Sequence, residues 1–93
     1  MEPIRFSGRI RHWNVEKGSG LAVVDIPAEH VQALGGLRQQ RVRGRIGKTD
    51  FASSVMPAGG GRLALSVSKA MMGSAGVAVG DTAELEISGV GLD

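Results

Sequence analysis

The stretch 62–87 constrains the fold most, because its hydrophobic period changes within a few residues. Residues 62–67 alternate between apolar side chains and polar or small ones, which is typical of a half-buried strand. Ser68 stands where a helix N-cap is favoured, and residues 69–75 allow about two helical turns before Gly76 ends them. The stretch therefore predicts a strand, a short helix and a second strand.

The rest of the chain predicts an all-β fold of about six strands with two short helices. The nearly continuous apolar run 21–26 indicates a strand that is buried on both faces. Pro27 suits the first position of a helix that Gly35–Gly36 would end. Gly47–Lys48 predicts a two-residue hairpin turn, and residues 57–61 predict a glycine-rich loop. The predicted strands are 4–13, 21–26, 40–46, 49–56, 62–67 and 82–88.

The length of 93 residues predicts a single domain, 1–93, in which the glycine-rich end 88–93 frays. A polar loop is expected at 14–19. The inward positions of the strands and helices predict the core. These residues are Phe6, Ile10, Val23, Ile26, Leu34, Val42, Ile46, Phe51, Leu65, Val67, Leu85 and Ile87.

An internal similarity suggests a duplicated barrel with pseudo-twofold symmetry. Residues 5–10 match residues 41–46 at four of six positions, and the segment 21–37 parallels 63–77. Because the spacing between the two matches changes, this alignment requires an insertion. Chance similarity among glycine, arginine and aliphatic residues is the alternative.

Composition limits the functions that are open to the chain. The net charge of +2 is too small to indicate nucleic acid by itself, so the distribution of the charge matters more. The chain has no cysteine, which excludes disulfides, thiolate metal sites and a cysteine nucleophile. It has no apolar run near the ~20 residues that span a bilayer, and its N-terminus lacks a signal-peptide pattern. We expect a cytoplasmic protein without a membrane partner or a cofactor.

Four runs, in their order and spacing, resemble the bacterial family of small domains of unknown function DUF1905. The resemblance covers about residues 6–87, although no single run is diagnostic. The runs are VDIPAE at 24–29, VRGRIG at 42–47, LSVSKA at 65–70 and GDT at 80–82.

The resemblance implies a double-split β-barrel related in fold to the AbrB/MazE/MraZ-like transcription factors. It also implies association with YdeI/OmpD-associated proteins, which are called bacteriocin-protection proteins, but it implies no biochemical activity. The sequence departs from the family in two places. Met72 and Gly73 stand where the family usually carries a basic pair, and Leu21 stands where it often has an aromatic residue.

Six arginines are the main candidates for a binding site. They alternate on strands one and three, so each set of three leaves its strand on one face. If the two strands were neighbours, the guanidinium groups would form a patch for phosphates or another anion. The alternative is an ordinary solvated face, in which Glu84 or Glu86 of the last strand pairs with an arginine of a neighbouring strand. The six are Arg5, Arg9, Arg11, Arg41, Arg43 and Arg45.

The other polar groups predict structural roles. His12 is expected to be partly buried and His30 solvated, and neither has metal-ligand spacing. Ser68, followed by Lys69, forms a possible helix N-terminal site, but a helix cap is the simpler interpretation. The carboxylates Asp25, Asp50 and Asp81 lie near turns, where aspartate caps backbone. Met71 and Met72 are expected to fill the core under the second helix.

Three functional hypotheses follow. The first is a non-enzymatic binding or interaction module, whose partner is another protein or a second copy of the chain. The second is a nucleic-acid-binding barrel that uses the arginine faces, which the low net charge and the scarcity of aromatic residues disfavour. The third is a barrel that binds a small molecule or acts as an enzyme. It is the weakest of the three, because the sequence shows no catalytic or metal-binding constellation.

Overall fold

A computed structural model of the chain describes residues 3–13 and 21–91, which contain six strands and one α-helix. Two single-turn 3₁₀ segments, η1 and η2, follow the second strand. The elements are β1 (Ile4–His12), β2 (Ala22–Ile26), η1 (Ala28–His30), η2 (Gln32–Leu34), β3 (Gln40–Ile46), β4 (Thr49–Gly59), β5 (Arg62–Val67), α1 (Lys69–Ala75) and β6 (Thr82–Val90).

The six strands close into one antiparallel barrel in the order β1-β2-β5-β4-β3-β6. This confirms the predicted all-β barrel. β6 lies between β1 and β3, so the last strand lies beside both arginine strands, as we expected of at least one. The assumption that β1 and β3 could be neighbours is wrong. In the part of the chain that the structure describes, no helix is long and apolar enough to cross a membrane.

β1 and β4 each divide their length between two partners. β1 pairs with β6 from Ile4 to Arg9 and with β2 from Ile10 onward. β4 likewise pairs with β3 along its first part and with β5 from Val55 onward. These two divisions are the splits of the double-split barrel. The helical segments lie against these two strands. The Phe6 ring of β1 contacts the His30 ring of η1 with centroids 6.1 Å apart, and α1 contacts β4.

The core follows the period-two alternation of the strands. Eleven of the twelve predicted core residues are buried, and Phe6 is partly buried against the same cluster. Val31 and Met71 add contacts from η1–η2 and α1, and Met72 packs at the margin. Val23 and Ala64 point away from the interior yet are fully buried, which confirms that β2 is covered on both faces.

The pairing registers reveal a pseudo-twofold symmetry between the halves β1-β2-η-β3 and β4-β5-α1-β6. Val24 pairs with Leu65 across the β2–β5 seam, and the equivalent pair in the β3–β6 seam is Arg45 with Glu86. The pseudo-twofold axis passes through both pairs. It superposes Phe6 on Phe51, because the pairing of Phe6 with Leu85 becomes that of Phe51 with Gly44.

The helical segments obey the same symmetry. Gly35 after η2 and Gly76 after α1 both adopt a left-handed conformation, with φ of 85° and 70°. The next amide in each half donates to a carbonyl five residues earlier, from Gly36 to Val31 and from Val77 to Met72. Both halves therefore end their helical segment in the same backbone motif.

This symmetry corrects part of the duplication inferred from sequence. The match between 21–37 and 63–77 holds for the segments, but both of its ends shift by one residue, since Ala22 is equivalent to Leu63 and Gly35 to Gly76. From there the symmetry continues through β3 and β6 without an insertion. The match between 5–10 and 41–46 does not belong to the symmetry, since β1 and β3 run parallel on either side of β6. These strands share a different constraint. A Cβ on Gly8 would overlap Val24, and one on Gly44 would overlap the Glu86 carbonyl.

Three predicted boundaries need correction. The predicted first helix forms two 3₁₀ turns, because Pro27 offers no side-chain cap. In the second helix, α1, the Ser68 hydroxyl does supply a cap and accepts a hydrogen bond from the Met71 amide at 3.1 Å. β4 continues through the predicted loop to Gly59, past a register shift after Pro57. β6 reaches Val90 because a bulge restores its pairing with β3, so residues 88–90 belong to the barrel and not to a frayed tail.

The expectations for the two histidines also need correction. His12 is exposed, not partly buried, since it is the last residue of the strand, and His30 is half-buried beside Phe6. The loop predicted at 14–19 lies outside the described residues, as do residues 92–93 of the predicted tail.

Gly44→Ala is expected to destabilise the barrel by about 1–3 kcal/mol or more, because the new methyl group would overlap backbone that cannot rotate away. Gly73→Ala is the matched control. Gly73 lies in α1 with open space around its Cβ position, so alanine there should stabilise by about 0.5–1 kcal/mol. Urea unfolding of both variants measures the difference, and equal effects would contradict the close approach of β3 and β6.

Candidate functional site

The charged residues of β1, β6, β3 and β4 occupy the outer surface of these four strands, which we call the charged face. Their positions follow from the alternation, since the intervening residues point into the core. The charged face comprises Arg5, Arg9, Glu84, Glu86, Arg41, Arg43, Arg45 and Asp50.

A row of alternating charge crosses the middle of this face. Arg5, Glu86, Arg45 and Asp50 are successive cross-strand neighbours on β1, β6, β3 and β4. Arg5 Nε donates to Glu86 Oε2 at 2.7 Å, and Arg45 Nε donates to Asp50 Oδ1 at 3.2 Å. Glu86 thus lies between two arginines, and the predicted pairing of Glu84 or Glu86 with an arginine of a neighbouring strand is confirmed.

The pseudo-twofold axis runs through this row and inverts its charges. It superposes Arg5 on Asp50 and Glu86 on Arg45, so one ion pair is carried onto the other with acid and base exchanged. The same operation places Arg43 where the other half has Glu84. The two halves therefore share a backbone but differ in surface charge: one end of the charged face carries Arg41 and Arg43, and the other carries Arg9 and Glu84.

Arg11 lies apart from the charged face and pairs with β2. Its Nε and Nη2 donate to the two Asp25 carboxylate oxygens at 2.7 and 2.8 Å. These hydrogen bonds hold the pKa of Asp25 below its usual value. Partial burial opposes that effect, and the charges of Arg11 and Arg62 add to it. The same bond raises the pKa of Arg11, so both groups stay ionised at neutral pH.

Three of the six candidate arginines have no carboxylate within ion-pair distance among the described residues. Arg9 lies beside Thr82 on β1. Arg41 and Arg43 lie at the other end of the face, on β3. The structure therefore does not gather the six into one patch. Among the described residues it pairs Arg5, Arg11 and Arg45 with carboxylates and leaves Arg9, Arg41 and Arg43 without one.

Two depressions open to solvent flank the row of alternating charge. Besides residues of the row, the lining of the first, of about 390 Å³, includes Ser7, Gly47 and Glu84. Besides residues of the row, the lining of the second, of about 690 Å³, includes Arg43, Ala52 and Ser88. The larger depression thus adjoins Arg43 and the smaller one Glu84, neither of which forms an ion pair with another described residue.

The remaining candidates have structural roles in the described residues. The Ser68 hydroxyl caps α1, Lys69 is the first residue of that seven-residue helix, and the Asp81 carboxylate accepts a hydrogen bond from the Ala78 amide at 2.9 Å. Within residues 3–13 and 21–91, no side chain that is polar or charged is buried, and no group of three acids or histidines could hold a metal ion.

The sequence interpretation missed Asp25 and Asp50 as ion-pair partners. The sequence predicted that both aspartates cap backbone near turns, and it predicted ion pairing only for Glu84 or Glu86. Their alternation was the available signal, because Asp25 lies between the inward residues Val24 and Ile26. The strand order was also needed, since it decides which acid faces which arginine.

The family model described as a domain of unknown function, DUF1905, matches residues 6–87, which is most of the chain. No curated protein matches the sequence.

Asp25→Asn is expected to lower stability at neutral pH by up to about 1 kcal/mol, because it removes a partly exposed ion pair. The folded-state pKa of Asp25 is lowered, so the pair contributes fully above the unfolded value of about 3.9 and is lost as pH falls through the lower folded value. Urea unfolding across pH should show wild type and variant converging in acid. A gap that persists in acid would contradict this.

Glu86→Gln is expected to cost more than Asp50→Asn, because Glu86 lies between Arg5 and Arg45 while Asp50 pairs with Arg45 at the end of the row. We expect up to about 1 kcal/mol for Glu86→Gln and a few tenths for Asp50→Asn, both shrinking as salt rises. Thermal unfolding at low and high salt measures them. Equal losses of stability in the two variants that do not depend on salt would contradict the position of Glu86 between two arginines in the row.

Proposed function

Since the chain belongs to the DUF1905 family of domains of unknown function, we propose from its own surface that it is a non-enzymatic binding or interaction module. The supporting observation is the charged face, where the exposed Arg43 guanidinium, which has no carboxylate of the described residues within ion-pair distance, adjoins a depression of about 690 Å³. Exposed unpaired arginines are available to a partner without first breaking an internal ion pair.

The electrostatics favour binding over catalysis. Catalytic sites gather groups with shifted pKa values in a concave, desolvated site. In the described residues the resolved pKa shifts belong to Arg11 and Asp25, which are partners of each other on the surface. That pattern is what a structural ion pair produces. An enzymatic barrel therefore has less support than a binding module.

Nucleic acid is the second candidate, and the free arginines favour it. A phosphate backbone presents one charge after another, and binding it needs a continuous basic path. Glu84, Glu86 and Asp50 interrupt such a path on the charged face. We therefore favour a protein partner. The cytoplasmic location and the association with YdeI/OmpD-associated proteins stay predictions.

The proposal predicts that the folded chain, fixed to a resin, retains a discrete set of proteins from its native host extract. Leu65→Asp is the control, because Leu65 is fully buried beside the pseudo-twofold axis and a carboxylate there should unfold the barrel. Mass spectrometry identifies what the folded bait alone retains. Identical retention by both baits, together with turnover of simple ester or phosphate substrates by the folded chain, would contradict a non-enzymatic module.

A further inference from the structure

We infer that Arg41 and Arg43 form a docking strip for an extended, acidic protein segment. This inference rests on the proposed binding function and assigns its site and the chemistry of its partner. Both arginines are exposed on β3, and no carboxylate of the described residues lies within ion-pair distance of either.

Small residues border the docking strip on both sides. Arg43 has Ala52 as its neighbour on β4 and Gly89 on β6, where the bulge shifts the register. Arg41 has Ser54 on β4, and its carbonyl accepts a hydrogen bond from the Gly91 amide at 2.8 Å. No neighbour in these pairs has a side chain longer than that of serine, so a partner can reach both guanidinium groups.

The strip is confined to one end of the charged face by the inverted symmetry. The positions equivalent to Arg41 and Arg43 in the other half are Thr82 and Glu84, so that end carries a single such arginine, Arg9, and carries it beside the carboxylate-bearing strand position Glu84. Towards the middle of the face, Arg45 is already paired with Asp50. The free positive charge of β3 is therefore concentrated at the two docking-strip residues.

The spacing of the strip suits an extended segment. Side chains two residues apart on a strand are about 6.6–6.8 Å apart, and an extended partner repeats that distance between alternate residues. Arginine also presents a planar fork that matches a carboxylate in a bidentate pair. A segment with acidic residues at alternate positions would therefore pair one carboxylate with each arginine.

A protein segment fits better than a single strand of nucleic acid. Beyond Arg43 the next row contains Glu86 and Asp50, which would repel further phosphates along the same path. Stacking groups are also missing from the strip. Phe51 is buried, and the partly buried Phe6 lines the smaller depression rather than the strip, so neither offers the strip an exposed ring for stacking on bases.

The test is a titration of the folded protein into a fluorescein-labelled peptide with glutamate at alternate positions, followed by fluorescence anisotropy. A labelled oligothymidine is the comparison probe. The test variant is Arg41→Glu with Arg43→Glu, and the matched control is Lys48→Glu with Lys69→Glu, which makes the same charge change at exposed positions in the β3–β4 hairpin and at the start of α1. Arg41→Gln with Arg43→Gln serves if the acidic variant does not fold by circular dichroism.

We expect the wild type to bind the peptide more weakly as salt rises. The strip variant should lose about tenfold or more in affinity, and the control less than about twofold. Equal losses in both variants, or no binding by the wild type, would overturn the docking strip. Tighter binding of oligothymidine that the strip variant abolishes would replace the acidic segment with nucleic acid.

The two proposals fail in different ways. If the resin-bound wild type retains host proteins that the strip variant retains equally, the binding module stands and the docking strip is wrong. If the folded wild type retains nothing and binds neither probe, both proposals are overturned.

Discussion

The closure of six strands into one antiparallel barrel places β6 between β1 and β3, and the surface chemistry depends on that placement. With β6 there, Glu86 lies between Arg5 and Arg45, so cations that alternate along two separate strands become part of a balanced row. Had β1 and β3 been adjacent, the same residues would have opposed like charges across the sheet, which is unfavourable. Strand order thus decides which arginines are neutralised and which remain available.

The pseudo-twofold symmetry explains how a small barrel acquires an asymmetric surface. Both halves bury aliphatic residues at equivalent positions, with Val24 meeting Leu65 at the axis and Phe6 matching Phe51. Folding constrains those inward positions, since a change there leaves a cavity or a clash. Outward positions are free to diverge, and they have done so to the point that Arg43 and Glu84 are equivalent. Binding specificity can arise from that divergence without disturbing the core.

Much of the fold could be predicted from local pattern, because period-two alternation fixes which side chains face inward and Ser68 supplies a cap that forms α1. The equivalent segment after Pro27 has the same length but no capping side chain, and it forms 3₁₀ turns. The difference becomes clear when the two segments are aligned with Pro27 opposite Ser68. The sequence similarity between β1 and β3 pointed to a different alignment, since Gly8 and Gly44 both lack room for a side chain although the symmetry does not relate their strands.

The sequence identified the arginines of the candidate site, but it did not show which of them form ion pairs. Alternation identifies all six arginines as outward, yet it contains no information on which strands become neighbours. Asp50 faces Arg45 across the β3–β4 hairpin, which the sequence predicted, whereas Glu86 lies between Arg5 and Arg45 only because the barrel places β6 between β1 and β3. Sequence alone therefore suggested one arginine patch or none, whereas among the described residues three of the arginines have an ion-pair partner and three have none.

The most direct test of this account is nuclear magnetic resonance of the isotope-labelled protein during addition of the acidic peptide. The account predicts that shift changes concentrate on the side-chain Nε–Hε signals of Arg41 and Arg43 and on the amides of Ala52, Ser54 and Gly89, which border the docking strip. Signals of Arg5, Arg11 and Arg45 should change little, because their ion pairs persist. Changes centred on Arg11 and β2, or spread evenly over all arginines, would contradict it.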